Sequence, residues 1–405
     1  MGEPDADADD DERIAVGSAS AVPGAADRGW LAVADLPTGG RERLPVAVAN
    51  GTEAGPTLWL TGGVHGDEAT GVAVVQDAMA ALDGDRLADL AGAVVAVPVV
   101  SPAGLRRNAR ETYYADEDPN RHFPDADAES ARPPKVQERI DARLYAAVTG
   151  ETADATDAAR SATDASADAV ETVGSNAAAD ALIDCHTAGV GSDPFLIRDR
   201  VLYGDRRSEA EAADLSRELG RLVDAFGLPV VREYPAAEYV EETLQRSAAG
   251  AVLNEAGIPA FTAELGAHSV VDDRLLDAGV AGVFGVAVEL DVLTTENVPE
   301  SIGQPGVGVD PAPVEFPVRR FRGPTTDDSG IVRHRVDAGD AFEAGDVLAD
   351  VVAATGAERG EVTADRNGYV LGRTEGVAVY EGDPIGSLAV RDDGGLVVPR
   401  EAGEN

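Results

Sequence analysis

Two short motifs bring together residue types that bind metal ions. The first runs from Gly62 to Gly71 and carries His65 and Glu68, three positions apart at a predicted strand-to-helix junction. Imidazole nitrogen and carboxylate oxygen are ligands that zinc favours, and the flanking glycines let the backbone approach the site closely. A glycine-rich loop with a helix-capping acid would contain the same residues, so this motif alone leaves both interpretations open.

The second motif ends an apolar strand with Asp184, Cys185 and His186. The chain has five histidines among 405 residues, so a second histidine at a strand end favours a shared site over a buried histidine beside a capping acid. We expect His65, Glu68 and His186 to bind one zinc ion and to leave a fourth position open for water. Asp184 shares a strand face with His186 and could orient an imidazole, whereas Cys185 points to the other face and cannot act as a Cys-His nucleophile.

Two further segments carry residues that could act in catalysis and in substrate binding. Glu264 follows an apolar strand, and catalytic groups in open α/β sheets gather at the carboxyl ends of strands. It fits a general base that takes a proton from zinc-bound water and delivers it to a leaving amine, although a salt-bridged glutamate would look the same.

Asn120 and Arg121, with Arg110 upstream, suit the capture of a carboxylate. General surface charge is the alternative, since arginine replaces lysine almost everywhere in this chain.

The elements around these motifs predict an α/β fold with a mixed, mostly parallel sheet flanked by helices. Apolar strands are predicted at 57–60, 93–100, 181–183 and 260–262. Helical periodicity is present at 68–82, 136–148, 209–226, 241–256 and 275–293. The metal-binding and acid–base candidates therefore follow or end strands of one sheet.

Composition divides the chain into segments. Residues 1–12 are predicted to be an acidic disordered tail, 13–304 the α/β domain, and 305–318 a proline-rich linker. Within the α/β domain, 149–177 reads as an acidic low-complexity insertion. Residues 319–400 alternate Gly-Asp turns with short Val and Leu strands, which predicts a small all-β domain of barrel-sandwich type. That region contains no lysine, so a biotinyl or lipoyl carrier function is excluded.

Charge and composition restrict the partners. The formal net charge is -41 at pH 7, with no basic stripe for phosphates, which argues against nucleic-acid binding. Such acidity is typical of a salt-rich, haloarchaeal-type cytoplasm, because molar salt screens the self-repulsion. The single cysteine, the acidic N-terminus and the lack of a long apolar run predict a soluble, cytoplasmic protein without a membrane span. A homo-oligomer is left open.

The four motifs together resemble the succinylglutamate desuccinylase/aspartoacylase family, which is related to the zinc carboxypeptidases. The resemblance covers roughly residues 55–295, and the predicted C-terminal β domain also matches the family's usual C-terminal part. In chain order the matching motifs are His65-Gly66-Asp67-Glu68, Asp118-Pro119-Asn120-Arg121, Asp184-Cys185-His186 and Glu264-Leu265-Gly266.

The resemblance implies roles for individual residues beyond the zinc ligands and the base Glu264. Asn120 and Arg121 would hold the α-carboxylate of the substrate. Arg110 would polarise the scissile carbonyl, with its neighbours Arg106 and Arg107 as alternatives in the same segment. Tyr380, in the C-terminal domain, would close the site.

The activity implied by the resemblance is removal of the acyl group from an N-acyl amino acid, a small-molecule substrate, by amide or ester hydrolysis. One alternative is a zinc carboxypeptidase that acts on short peptides. The other is a zinc-binding relative without catalysis, against which the intact Glu264 argues, because a pure binder needs no base.

Overall fold

The computed structural model describes residues 12–114, 117–124, 133–151 and 177–400. The predicted acidic tail at 1–12 and the predicted insertion at 149–177 lie almost entirely outside these residues. Within the described ranges, no helix is both long enough and apolar enough to cross a lipid bilayer.

The described residues include twenty strands, many of them short. In chain order they are β1 Ile14–Val16, β2 Ala19–Ala21, β3 Ala25–Asp35, β4 Arg41–Asn50, β5 Glu53–Gly62, β6 Ala91–Val97, β7 Ala181–Ala188, β8 Phe195–Arg198, β9 Val201–Tyr203, β10 Val230–Arg232, β11 Ala260–Ala267, β12 Val318–Arg322, β13 Gly330–His334, β14 Ala341–Phe342, β15 Val347–Val352, β16 Glu358–Thr363, β17 Gly368–Arg373, β18 Ala378–Val379, β19 Gly386–Arg391 and β20 Val397–Pro399.

The helices of the described ranges fall between β5 and β12. The α-helices are α1 Ala69–Ala81, α2 Pro102–Arg107, α3 Val136–Thr149, α4 Glu209–Phe226, α5 Ala236–Glu241, α6 Ala248–Ala251 and α7 Asp273–Glu289. Short 3-10 turns lie at Gly84–Asp89, Pro119–Arg121, Leu244–Arg246 and Thr295–Asn297, and a π-helical turn at Val252–Ala256 continues α6.

One large mixed sheet organises the molecule. Its order is β14-β17-β19-β12-β10-β8-β11-β7-β5-β6-β4-β3. The central strands β6, β5, β7 and β11 are parallel to their neighbours in that run. β11 meets β8 antiparallel, and β4 pairs antiparallel with β6 and β3. This architecture confirms the predicted α/β class with a mixed sheet and flanking helices.

The two faces of the central sheet differ in character. Helices α1, α4 and α7 cover one face, where Phe226 of α4 packs edge-on against Phe261 of β11, ring centroids 5.7 Å apart. Cys185 is fully buried and shares that face with Phe261, because Phe261 pairs with Ile183, two residues before Cys185. The opposite face carries the polar side chains Asp184 and His186, so the strand alternation separates the apolar core from the candidate site.

The C-terminal strands do not form an isolated unit. Four of them, β12, β19, β17 and β14, extend the large sheet beyond β10, and β10 and β12 are joined through Arg232 and Arg319. Four more, β13, β15, β16 and β18, form a second sheet, and β20 pairs with β9 in a separate two-stranded sheet. A buried apolar cluster that includes Val332, Leu348 and Leu388 packs between the two layers. Extra C-terminal β structure is therefore present, with one of its layers continuous with the α/β sheet.

One predicted helix is wrong in its extent. The helix expected at 241–256 is broken into α5, a 3-10 turn, α6 and the π-helical turn. Thr243 adopts a left-handed backbone with φ 53°, which no α-helix accommodates. The Ser247 side chain then accepts a hydrogen bond from the amide of Gly250 and begins α6. The apolar periodicity of the segment survives this break, which is why the sequence pattern suggested one helix.

Candidate metal centre and active site

The loop between β5 and α1 carries two of the candidate ligands. Its glycines allow contacts that a side chain would prevent: a Cβ on Gly66 would lie 1.9 Å from the carbonyl carbon of Gly104, and one on Gly71 would lie 2.4 Å from the backbone oxygen of Cys185. The loop and the first turn of α1 therefore pack directly on neighbouring backbone. This packing sets His65 and Glu68 beside strand β7.

His65, Glu68 and His186 form a compact buried cluster. Their candidate ligand atoms all lie within 4.8 Å of one another. His65 Nδ1 lies 2.7 Å from Glu68 Oε1, and His186 Nδ1 lies 2.7 Å from Glu68 Oε2. The three side chains that the sequence assigns to one zinc ion are thus brought together around a single point.

The outer nitrogen of each imidazole is bonded to a carboxylate. His65 Nε2 lies 3.0 Å from Asp118 Oδ1, and His186 Nε2 lies 2.7 Å from Asp184 Oδ2. Asp184 also accepts a hydrogen bond from the Thr61 hydroxyl at 2.7 Å. A carboxylate at Nε2 favours a proton on that nitrogen, which leaves Nδ1, the nitrogen beside Glu68, as the atom through which each histidine could bind a metal.

The electrostatics of the cluster favour positive charge at its centre. Burial by itself would raise the pKa of Glu68, but the charges of His65 and His186 outweigh it and hold that pKa well below its usual range. Burial would likewise lower the pKa of both histidines, and the surrounding carboxylates reverse this and raise it. Two imidazole nitrogens and one carboxylate that face each other are ligands for a divalent ion such as zinc. Such an ion would replace the protons that these groups otherwise share.

Arg110 reaches the same cluster. Its Nη1 lies 3.1 Å from His65 Nδ1 and 3.2 Å from Glu68 Oε1, and its Nη2 donates to Asp118 Oδ2 at 2.9 Å. Arg106 turns away and pairs at 2.8 Å with Glu42. The structure therefore brings Arg110, and not Arg106, to the candidate metal centre.

Asn120 and Arg121 lie beside the cluster in a 3-10 turn. The side-chain oxygen of Asn120 accepts a hydrogen bond from the backbone amide of Ala248 at 2.7 Å. The backbone amide of Asn120 donates to Asp118 Oδ1 at 2.8 Å. Arg121 Nη2 lies 3.8 Å from Asp118 Oδ2. Asp118 thus contacts His65, Arg110 and Arg121. Its place in the same short motif as Asn120 and Arg121 was the sequence signal that could have identified it.

Glu264 joins the site from β11, where it pairs in register with His186 of β7. Its Oε2 is buried and has no hydrogen-bond partner among the described residues. Burial raises the pKa of Glu264, and the nearby charge of Glu68 raises it further. A raised pKa makes this carboxyl group a candidate for accepting and releasing a proton during a reaction.

Tyr380 is not brought to the cluster. Its side chain is 75% exposed, and its backbone amide donates to Asp383 within the C-terminal sheet. A C-terminal residue that contacts the loops around the site is Glu375, whose Oε1 accepts from His268 Nε2 at 2.6 Å and from the amide of Val190 at 3.1 Å. Neither Glu375 nor His268 lies in a motif, so no sequence signal pointed to this contact.

Comparison with models of known protein families finds a match over the α/β part of the chain. The family model described as the succinylglutamate desuccinylase/aspartoacylase catalytic domain matches residues 54–290. No curated protein sequence matches the chain.

Three solved structures share the fold along most of the chain. A succinylglutamate desuccinylase/aspartoacylase from Rhodobacter sphaeroides is 19% identical with a TM-score of 0.66, over 91% of this chain and 95% of that one. An aspartoacylase family protein from Mesorhizobium loti is 18% identical with a TM-score of 0.64, over 92% and 96%. The product-bound ectoine utilization protein EutE (DoeB) from Ruegeria pomeroyi is 20% identical with a TM-score of 0.64, over 90% and 95%.

Proposed function

Because the chain belongs to the succinylglutamate desuccinylase/aspartoacylase family, we propose that it is a zinc-dependent hydrolase that removes the acyl group from an N-acyl amino acid. One zinc ion per chain would be held by His65, Glu68 and His186. The observation that carries the proposal is the orientation of the two imidazoles. Each bonds a carboxylate through Nε2 and turns Nδ1 toward Glu68.

The proposed chemistry divides among the metal and three kinds of side chain. Zinc bound there would polarise the scissile carbonyl and lower the pKa of a bound water to about 7. Glu264 takes a proton from the attacking water and delivers it to the leaving amine, a role that its raised pKa supports. Arg110, already within 3.2 Å of Glu68, supplies positive charge beside the carbonyl oxygen as negative charge develops on it.

The amino-acid end of the substrate is assigned to the turn that follows Asp118. Arg121 is 28% exposed, so its guanidinium can meet a carboxylate, and the Asn120 amide is oriented by its bond to Ala248. Tyr380 remains the proposed closing residue on the resemblance alone.

The test is amine release from a panel of N-acyl amino acids at molar salt with zinc, comparing the parent and Glu264→Gln. We expect release by the parent that the variant loses. Short peptides in the same panel test the carboxypeptidase alternative. Equal release by both proteins would remove Glu264 from the reaction, and release from peptides alone would replace deacylation by peptide cleavage.

A further inference from the structure

A buried glutamate interrupts the apolar face of β4. Glu42 is 3% exposed and lies on the same side of the strand as the buried residues Leu44 and Val46. Positions on such a face normally carry apolar side chains, because a charged group is rarely buried without partners. The contacts that satisfy the Glu42 carboxylate therefore indicate its role.

Glu42 lies at the edge of the sheet where the candidate metal centre lies. β4 runs antiparallel to β6, and Ala47 pairs with Ala96 near the end of β6. Glu42 precedes Ala47 along β4, so it lies beyond the end of β6. The loop that carries His65 follows β5, which is parallel to β6 and leaves the sheet at the same edge. Glu42 is therefore two strands away from β5 at that edge.

The Glu42 carboxylate holds both ends of one segment, residues 106–114. Arg106 donates to it twice, from Nη2 to Oε2 at 2.8 Å and from Nη1 to Oε1 at 3.4 Å. The Tyr114 hydroxyl donates to the same Oε2. The bond to Glu42 raises the pKa of Arg106. Burial raises the pKa of Tyr114 and the bond to Glu42 raises it further, so both donors keep their protons at neutral pH.

Arg110 lies midway between the two anchored residues. Its Nη2 donates to Asp118 Oδ2 at 2.9 Å, but its side chain is 48% exposed, so interior packing covers only about half of it. Helix α2 ends just before it, at Asn108, whose backbone is left-handed with φ 48°. Anchoring Arg106 and Tyr114 to one carboxylate limits the conformations that the chain between them can adopt.

The same contact determines which arginine of the segment reaches the metal centre. The segment carries Arg106, Arg107 and Arg110. Carboxylates at the centre, Asp118 among them, attract any guanidinium within reach. Because Glu42 holds Arg106 through two nitrogens, Arg110 meets Asp118 without competition from Arg106.

We propose that Glu42 is a positioning residue that presets Arg110 at the metal centre by holding Arg106 and Tyr114. This rests on the proposed function, in which Arg110 stabilises negative charge on the carbonyl oxygen. A cation that is already in place needs no reorganisation in the transition state. Misplacement of such a group by about 1 Å can cost about 100-fold in rate. In this arrangement Glu42 acts only through Arg110.

The test is a double-mutant cycle on the zinc-loaded protein, measured with the most rapidly hydrolysed compound of the N-acyl amino acid panel. Glu42→Gln keeps the side-chain shape and removes the charge that holds Arg106. We expect kcat to fall about 10-fold while KM changes by less than about 2-fold. In the Arg110→Ala background, Glu42→Gln should change kcat by less than about 2-fold. An unchanged kcat in Glu42→Gln, or an equal loss in both backgrounds, overturns the proposal.

A matched control and a milder variant accompany the cycle. Asp35→Asn breaks an exposed ion pair with Arg41, 3.3 Å long, at the same end of β4, and should keep the kcat of the parent. Tyr114→Phe guards against loss of the fold, because it removes one hydroxyl and leaves the pair of Glu42 and Arg106 intact. It should lower kcat less than Glu42→Gln does, and only when Arg110 is present. A kcat equal to that of the parent in Tyr114→Phe contradicts the anchoring of both ends.

Hydrogen exchange separates this inference from the proposed function. Exchange of the backbone amides of residues 107–113, followed by mass spectrometry on the zinc-loaded protein, needs no turnover. We expect these amides to exchange about 10-fold faster in Glu42→Gln than in the parent, with no change in β7. If no acyl amino acid is hydrolysed and this local increase is found, the deacylase proposal fails and the anchoring by Glu42 stands. If hydrolysis occurs and neither exchange nor kcat depends on Glu42, the reverse holds.

Discussion

His186 and Glu264 face each other across two neighbouring parallel strands. They are partners in the register of β7 and β11, so their side chains leave the same face of the sheet at the same level. The proposed metal ligand and the proposed base are therefore both positioned by central strands of the large sheet. Substitutions at this pair should separate metal binding from turnover.

Glu264→Gln should lose activity and keep its metal. Glutamine has nearly the same shape but cannot take a proton, and general-base groups contribute about 10²- to 10⁴-fold to a rate. We expect kcat to fall within that range while the zinc content of the purified protein stays equal to that of the parent. The assay is amine release, paired with elemental analysis. A variant that loses zinc as well would mean that Glu264 supports the metal centre.

His186→Ala and Asp184→Asn should both weaken zinc binding, to different extents. The first removes a proposed ligand, so zinc should no longer be retained through dialysis. The second removes the carboxylate that accepts from His186 Nε2 at 2.7 Å, and loss of such a partner typically costs about 10- to 100-fold in metal affinity. Competition with a chelator of known affinity measures both. Parent-like affinity in His186→Ala would show that the ligand set is wrong.

Arg110→Ala should reduce kcat by about 10²- to 10³-fold if its guanidinium stabilises charge on the carbonyl oxygen. Arg107→Ala is the matched control, since Arg107 lies in the same segment and is exposed. We expect the control to keep parent-like kcat and KM. If kcat falls by a similar factor in both variants, the effect belongs to the charge of the whole segment and not to the Arg110 guanidinium.

The cluster of His65, Glu68 and His186 could be predicted because its signals are local. His65 and Glu68 lie in one short motif, and strand alternation alone predicted that Asp184 shares a face with His186. The structure confirms that relationship with a 2.7 Å contact. The contact between Glu375 and His268 could not be predicted, because it joins positions 107 residues apart and neither belongs to a recognisable pattern.

The C-terminal region shows a second limit of sequence reasoning. The short Val-rich strands were expected to form a small C-terminal β domain, and C-terminal β sheets are present. Alternation along a strand, however, does not specify which strand it pairs with. The pairing of Arg232 with Arg319, which makes the large sheet continuous, depends on tertiary packing of Val318 and Val231 in one cluster.

Salt should stabilise this protein. With a net charge of -41, self-repulsion opposes the compact state, and screening shortens from about 10 Å at 0.1 M salt to about 3 Å at 1 M. We expect the thermal midpoint to rise continuously between 0.1 and 1 M KCl. Sucrose at equal osmolality is the control, because it stabilises by exclusion from the surface without screening. Equal stabilisation by both would argue against relief of charge repulsion and against the halophilic interpretation.

Asp199 should make stability depend on pH in a defined window. Burial, with the charge of Glu233, raises its pKa from the ordinary 3.8 to about 8. Between these values the folded chain holds a proton on Asp199 that the unfolded chain has released, so the free energy of unfolding falls as pH rises, by at most about 1.4 kcal/mol per pH unit. Asparagine does not titrate, so Asp199→Asn lacks this loss. The free energy of unfolding of the variant minus that of the parent should therefore increase from pH 5 to pH 8 and then stay constant.

Denaturant unfolding in molar KCl across that range measures this difference between parent and Asp199→Asn. Asp214→Asn is the control for loss of a surface carboxylate, because the Asp214 side chain in α4 is 71% exposed. If the difference for Asp199→Asn also stays constant from pH 5 to pH 8, the carboxyl group is already ionised in the folded chain. Arg121 and Arg320, the cations that act against the rise in its pKa, would then outweigh both burial and Glu233.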